Sequence, residues 1–357
     1  IRTAVELENS STGSVTNVTN VFKSGGNLKR TANDTILDQG TSLEAGGDIA
    51  QTARVIMEDA IHDMDWSMTD TQSHDARVGV YAEAKAKADT SSGASASASV
   101  GFKASYQGAI AGERSSIKKA VTSKYKAGGG IKSKSTESTT LVGTQFEAGK
   151  DVEIEAGSLD YRAARDSSSS SSSSHDINSE VKVGFGTTGV NVDVSAGYGL
   201  SQASEGSTTA KAGGIKASGG IRIKTTKGDV SLEGTDIEGK GDVAVDSAGK
   251  VDFKAAYDTH ESSSRNVGVN AGVSTSSVEA DVSYGQSGAK SKTAKAGGIK
   301  GGAISVKAAG DVDLEGTKIK SEDDTTLEAG GNVNLKAAVS ESSSYGFSIG
   351  ISGKGSK

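Results

Sequence analysis

A motif that returns at long, nearly constant spacing limits what this 357-residue chain can fold into. It reads AGGGIK at 127–132, AGGIK at 212–216 and AGGIK at 296–300, so its starts lie 85 and then 84 residues apart. Each copy is followed by a second shared string: TTLVGTQFEAGKDVEI from Thr139, GDVSLEGTDIEGKGDVAV from Gly228 and GDVDLEGTKIKSEDDTTLEAGGNVNL from Gly310. A small-residue pair comes next (Ala163 and Ala164, Ala255 and Ala256, Ala337 and Ala338), and then a serine-rich tract. A chain of this kind has no unique pocket-forming core. It is an array whose units bury their apolar faces by stacking on one another.

A shorter period sits inside the long one. Apolar pairs fall at Ile304/Val306, Val312/Leu314, Thr325/Leu327 and Val333/Leu335, steps of 8, 13 and 8 residues, which makes a turn of about 21. The middle unit repeats the pattern at Ile221/Ile223, Val230/Leu232, Val243/Val245 and Val251/Phe253, with Ile237 halfway across its long step as Ile319 is in the last unit. Each pair is an apolar-polar-apolar triplet, the alternation of a very short strand with one face buried. Gly-Asp, Gly-Lys and Gly-Gly separate the triplets and turn the chain tightly. Strands this short hold only when stacked coil on coil. The reading is an all-β, right-handed parallel β-helix of about 21 residues per coil, with β-hairpin extensions roughly every 84 residues. Roughly nine coils are expected, with Val230, Leu232, Val243, Val245, Val251, Phe253, Val312, Leu314, Leu327, Val333 and Leu335 inward.

Composition bounds the function classes. Val, Ile, Leu and Phe make up roughly 18% of the chain, low for a globular protein, yet a thin β-helical core filled at its corners by Gly and Ala needs few large residues. Net charge is −6 and the pI about 5.4, with charges interspersed and no basic stripe, so nucleic acid is not an expected partner. The chain has no Cys and no Pro. The first suits passage through an export pore, and the second suits turns that all contribute N–H groups to stacked ladders. No apolar run approaches the roughly 20 residues of a membrane-spanning helix, and the chain opens at Ile1 without a signal peptide, as a piece of something longer would.

GGNLKRTANDTILDQGTSLEAGGDIA (25–50), AGKDVEIEAGSLDYRAARDSSSSSSSSHD (148–176) and AGGNVNLKAAVSESSS (329–344) resemble haemagglutinin repeats. These occur in filamentous haemagglutinin and other large exoproteins of bacterial two-partner secretion, contact-dependent inhibition proteins among them. The resemblance implies a right-handed β-helix on the bacterial surface or outside the cell, exported through an outer-membrane barrel transporter. It implies action in adhesion or as a toxin-presenting stalk, and a partner that is a receptor, a glycan or a target-cell surface.

After each serine tract the chain alternates with period two, turns, and alternates back. Val181, Val183 and Phe185 lead through 186–189 into Val190, Val192, Val194, Ala196 and Tyr198; Val267, Val269, Ala271 and Val273 lead into Val278, Ala280, Val282 and Tyr284. A longer first copy runs from Val78 and Val80 to Phe102 and Tyr106. Each is a hairpin with one apolar face, expected to lie on the shaft because isolated hairpins are marginal. Neighbouring hairpins two coils apart match two stacked strands in height. They are therefore expected to join into one antiparallel sheet, aligning Val183, Val192, Val269 and Val282 with Phe347 as an apolar stripe. Val183, Val192, Tyr198, Val269, Val282, Tyr284 and Phe347 are the candidate partner-binding residues.

The implied organisation is N-terminal coils over 1–72 with room for a short helix or cap at Val55, Ile56, Ile61 and Met64. A first hairpin covers 73–126, coils 127–164, a second hairpin 165–211, coils 212–256, a third hairpin 257–295, coils 296–340 and the start of a fourth hairpin 341–357. No catalytic or cofactor-binding residue is assigned. Ser73-His74-Asp75, Ser174-His175-Asp176 and Thr259-His260-Glu261 recur at what read as equivalent hairpin roots, and adjacent strand residues point to opposite faces and cannot form a triad. Asp59, Asp63 and Asp65 are weak candidates for a divalent cation, without an Asp-x-Asp-x-Asp-Gly loop. The functional reading is a non-enzymatic adhesive or structural shaft segment of a large exoprotein that mediates cell contact. Alternatives are a fibre unit that associates end to end and, less favoured, a β-helical polysaccharide lyase.

Overall fold

The structure, a computed structural model, describes residues 1–89, 93–187 and 189–356, with side chains for all of these except 85–89 and 93–96. Among the described residues it is all strand and turn, without helix. Two parts share the chain: a parallel β-helical shaft and an antiparallel sheet that stands out from it.

The shaft has eight coils, one fewer than the expected nine. Its coils are counted by one sheet of eight parallel strands, from Val21–Ser24 and Ser42–Ala45 through Lys124–Ala127, Gln145–Ala148, Gly214–Ala217, Asp236–Gly239 and Gly298–Gly301 to Lys318–Ser321. The other two sides of the coils form a fourteen-stranded parallel sheet, to which six coils give two strands each and the second and third give one long strand each, Ile49–Asp59 and Ile131–Val142. The coil therefore has three sides, and Ile237, halfway across the long step, is the buried residue of the third. Eight stacked strands at about 4.8 Å make a shaft about 38 Å long.

The triplets fill its centre. Val230 stacks on Val251 and then Val312, Leu232 on Phe253 and then Leu314, and Val243 on Ile304, all buried in one continuous column. Leu327, Val333 and Leu335, expected inward as well, are less covered, and Leu335 is 71% exposed where its counterpart Leu232 is 1%. They belong to the last coil of the chain, against which no further coil stacks.

The recurring glycines and acids meet at the corners. Asp48, Asp151, Asp229, Asp242 and Asp311 each accept, through Oδ1, a backbone N–H of a residue one coil further on: Gly130, Gly220, Lys250, Ala303 and Asn332. The residue beside the donor has to be small: a Cβ on Gly219 would lie 2.1 Å from Asp151 Oδ1. A second corner explains the alanine pairs. Gly143, Gly234 and Gly316 have positive φ (62°, 58° and 61°), and a Cβ on each would meet the Cβ of Ala164, Ala256 or Ala338 at 2.6–2.8 Å. These alanines are where the chain leaves the shaft.

Eight long strands form the lateral sheet, here β1 (Arg2–Val15), β2 (Ile61–Asp89), β3 (Gly93–Val121), β4 (Ala164–Gly186), β5 (Gly189–Lys211), β6 (Ala256–Ser274), β7 (Ser277–Lys295) and β8 (Glu341–Ser356). They lie in chain order, antiparallel throughout. The hairpins do join into one sheet along the shaft, one hairpin for every two coils. Positions 90–92, Thr188 and Lys357 lie outside the described residues. The first hairpin begins at Ile61 and not at 73, and 1–72 is not all coil, since β1 is a strand of the sheet. The stretch offered as a short helix is extended, ending one strand at Asp59 and opening β2 at Ile61; its alternation continues into both.

Repeated side chains staple the hairpin roots. The third residue of each outgoing stretch accepts a backbone N–H from the strand before it: Asp166 from Ala120 (2.6 Å), Asp258 from Ala210 (2.7 Å) and Ser340 from Ala294 (3.0 Å). Lys211 Nζ and Lys295 Nζ donate to the carbonyls of Ala120 and Ala210. The sheet is thereby fixed at the shaft although its hairpins differ in length.

Candidate contact surface

Cross-strand register decides which side chains share a face of the sheet. Val5, His74, Gly108, Ile177, Tyr198, Val269, Val282 and Ile351 form one row across all eight strands. Leu7, Gln72, Ile110, His175, Leu200, Val267, Tyr284 and Ile349 form the next row toward the shaft. Further out on the same face, Val80, Phe102, Val183 and Val192 stand side by side. From the Val5 row to the tips, no described side chain on this face carries a charge.

The seven partner-binding candidates all lie on this face, in more than one row. Val183 pairs with Val192; Val269 sits between Tyr198 and Val282; Tyr284 pairs with Ile349; Phe347 faces Gln286 and lies 6.3 Å, ring to ring, from Tyr284. Val192 is six residues further out than Tyr198, so the single stripe through Val183, Val192, Val269, Val282 and Phe347 is replaced by a field of offset rows.

That field is uncovered. Val80 is 79% exposed, Phe102 61%, Phe347 59% and Val282 47%. The expectation that the apolar face lies on the shaft is therefore wrong. The hairpins gain their support edge to edge, each ladder satisfied by the next hairpin, so the sheet needs no surface to lie on. The opposite face is polar and laced with ion pairs: Lys103 with Glu180, Lys182 with Glu83, Lys354 with Glu279 and Arg2 with Asp75 join different strands, and Arg77 meets Asp75 along β2. Hydrogen bonds from both guanidinium groups hold the Asp75 carboxyl far below its usual range.

Nearer the shaft both faces are hydroxyl-rich. Ser67 bonds Ser115, Ser116 bonds Ser169, Ser168 bonds Ser207 and Ser264 bonds Ser287, each across a strand boundary. A broad trough lies over these rows, lined by Ser67, Glu113, Ser170, Glu205 and Ser262 among others.

The three histidines of the recurring strings occupy two different settings. His74 and His175 sit on the apolar face where it meets the serine zone, and each ring Nδ1 bonds a tyrosine hydroxyl on the next strand, Tyr106 at 2.6 Å and Tyr198 at 3.1 Å. His260 is not equivalent: it lies close to the root, pairs in register with Ser207 and Ser291, and faces Glu205 across 3.8 Å on the polar side. Sequence alignment of the three strings missed this because the third hairpin has the shorter root.

Of the weak cation candidates, Asp63 has another role. Its carboxylate accepts the Asn17 backbone N–H at 2.8 Å and the Asn17 amide at 3.0 Å, which lowers its pKa. It is the root staple of the first hairpin, the counterpart of Asp166. Asp59 accepts the N–H of Ala60. Among the described residues no group of three or more His, Cys, Asp or Glu is placed to hold a metal.

Sequence reasoning passed over one polar cluster, inside the first coils of the shaft. Arg30 pairs with Asp38 at 2.7 Å and reaches Gln51 and Tyr125; Tyr125 bonds Asp38 at 2.7 Å and contacts Glu58; Gln51 bonds Ser133 at 2.9 Å. Glu58 is fully buried, and burial, followed by the charge of Asp38, pushes its carboxyl up to about 8. At neutral pH its carboxyl is largely protonated, and the Tyr125 hydroxyl lies within hydrogen-bond reach of both Glu58 and Asp38. The signal available in the sequence was Arg30 and Gln51 at inward positions of triplets that elsewhere are apolar.

A stacked-coil shaft with a lateral sheet one hairpin per two coils defines a repeat protein whose working unit spans both parts. Residues 104–211, 194–297 and 281–357 match the hemagglutinin repeat model, and the chain belongs to that family. The first two matches each run from a returning strand of the lateral sheet through two coils to the end of the next hairpin, so the family's unit includes the sheet. Two curated relatives are named hemolysin. The protein of Proteus mirabilis is 29% identical over 254 residues, 66% of this chain and 16% of its own length. That of Serratia marcescens is 32% identical over 255 residues, 68% of this chain and 16% of its own. The matched segment thus spans only a small part of either relative. No solved structure matches the chain.

Proposed function

We propose that this chain is a non-enzymatic shaft segment of a large secreted or cell-surface bacterial exoprotein, exported through an outer-membrane barrel transporter, and that it mediates contact through the apolar face of its lateral sheet. One observation carries the reading: a regular apolar field, free of charged side chains from the Val5 row to the tips among the described residues, held by stapled roots and left uncovered. Exposed apolar patches beyond a few hundred Å² mark interaction surfaces, and this one is built by every hairpin in turn. Repetition also speaks against a lyase, because the polar positions of the coils recur where an enzyme would need them to specialise. Family membership and the relatives named hemolysin support placement in an exported exoprotein, and a chain without Cys suits passage unfolded through a pore.

The test uses the full-length exoprotein. Val183, Val192, Val269 and Val282 are changed together to Lys, and secretion, surface level and attachment to target cells are measured. The expected result is normal export with attachment lost. Attachment at the original level would reject the contact surface.

A further inference from the structure

We propose that the apolar face of the sheet is covered by the same face of a second copy of this chain, sheet upon sheet, so that shafts associate side by side. The proposal rests on the reading of this face as a contact surface and names its occupant.

Size favours this occupant. Eight strands about 4.8 Å apart and apolar rows about 6.7 Å apart along them give a field on the order of 1,200 Å² per copy. Pairing two such fields removes about twice that, above the roughly 1,600 Å² of a standard specific interface.

Shape and charge agree with it. The face carries no charge in its outer rows, so bringing it against itself opposes no like charges. Large and small residues alternate on some strands, Phe102, Ala104, Tyr106 and Gly108 on β3 and Val269, Ala271 and Val273 on β6, which is the relief that lets two sheets about 10 Å apart interdigitate. A surface that meets its own copy about a two-fold axis needs only to be self-complementary. The ion-paired faces then turn outward to water on both sides.

The chain has no cysteine, so single-cysteine variants report contacts cleanly. The purified 357-residue chain is studied by sedimentation velocity across a dilution series, alongside Val269→Lys/Val282→Lys and, on the polar face, Ser201→Lys/Asn266→Lys. The expected result is a dimer that the first pair weakens by roughly 100-fold or more, since it buries unpaired charge, and that the second pair leaves intact. In parallel, Val269→Cys is expected to form interchain disulfides on mild oxidation and Ser201→Cys to form none; this readout stands even if the lysine pair misfolds. A chain that stays monomeric throughout, or a dimer indifferent to the apolar-face lysines, overturns the proposal. A monomer that floats with phosphatidylcholine vesicles overturns it in favour of lipid while keeping the face as a contact surface. A monomer that binds neither vesicles nor cells removes both.

Discussion

Shaft and sheet are built from the same material, period-two strands with Val, Ile, Phe and Ala on one face, and they end in opposite states. In the shaft, Val245 and Ile223 are 1% and 0% exposed because the coil closes around them. In the sheet, Val269 and Val273 are 40% and 49% exposed because the strands stop at an edge-to-edge meander and nothing folds back. The ladders are satisfied equally well in both, in parallel through stacking and antiparallel through hairpin pairing. Alternation thus says which residues share a face. Closure decides whether the face is covered, and closure depends on the connection at the strand's end: a corner that carries the chain on around the coil in the shaft, a tight turn that sends it straight back beside its neighbour in the sheet.

A buried charge separates the two regions most. Leu232→Asp puts a carboxylate in the column and should cost about 4 kcal/mol or more, whereas Val269→Asp, with that residue already 40% exposed, should change stability by less than about 0.5 kcal/mol at dilutions where the chain is monomeric. Chemical denaturation of the two variants measures the difference. Equal losses would mean the sheet face is packed.

Gly234→Ala probes the point where the parts join. Its φ of 58° disfavours a side chain, and the new Cβ would lie 2.6 Å from that of Ala256. A destabilisation of about 2–4 kcal/mol is expected, with loss of amide protection at the root of the third hairpin in hydrogen exchange. Gly353→Ala on β8, where nothing lies within 4 Å, is the matched change in the sheet and should be nearly neutral.

Glu58 sets the shaft apart through pH. Its folded carboxyl titrates at about 8 against an ordinary 4.5. Between those values the native state holds a proton that the unfolded chain has lost, so this group's contribution to stability falls as pH rises through that window. Glu58→Gln keeps the neutral form, and its melting temperature should exceed the parent's by about 2–4 °C at pH 8 and converge with it near pH 5. A constant offset across that range would contradict the assignment. Smallest is Asp258→Ala, which orphans the N–H of Ala210 at the edge of the shaft and should cost about 1–2 kcal/mol, read as faster exchange at Ala210.

Much of this was legible. The 21-residue coil, the inward positions Val230 to Phe253 and the joining of hairpins two coils apart come from spacing alone, because stacking forces equal periods on equal units. The motif that exposed the long period nonetheless mixed two corners. AGGGIK at 127–132 links the strand ending at Ala127 to the one starting at Ile131, whereas AGGIK at 212–216 and 296–300 brings a hairpin back into the shaft. Tyr125 is the counterpart of Ile215 and Ile299, and no string match pairs a tyrosine with isoleucines. The exposed face was hidden for a different reason: Val269 and Val245 sit in indistinguishable local patterns, and only the partner strand tells them apart. The Asp63 staple was hidden because its partner, Asn17, lies 46 residues earlier.

The shaft covers its own apolar face, and the sheet leaves its face exposed. Thiol labelling of two single-cysteine variants, Val245→Cys and Val269→Cys, reads that difference without intermediaries, at low protein concentration with a small maleimide. Cys at 269 should react as fast as an exposed thiol and grow protected as concentration rises, while Cys at 245 should react orders of magnitude more slowly at every concentration. Strong protection at both positions at high dilution would show that the sheet face is covered within one chain, and the division between a closed shaft and an open sheet would fall.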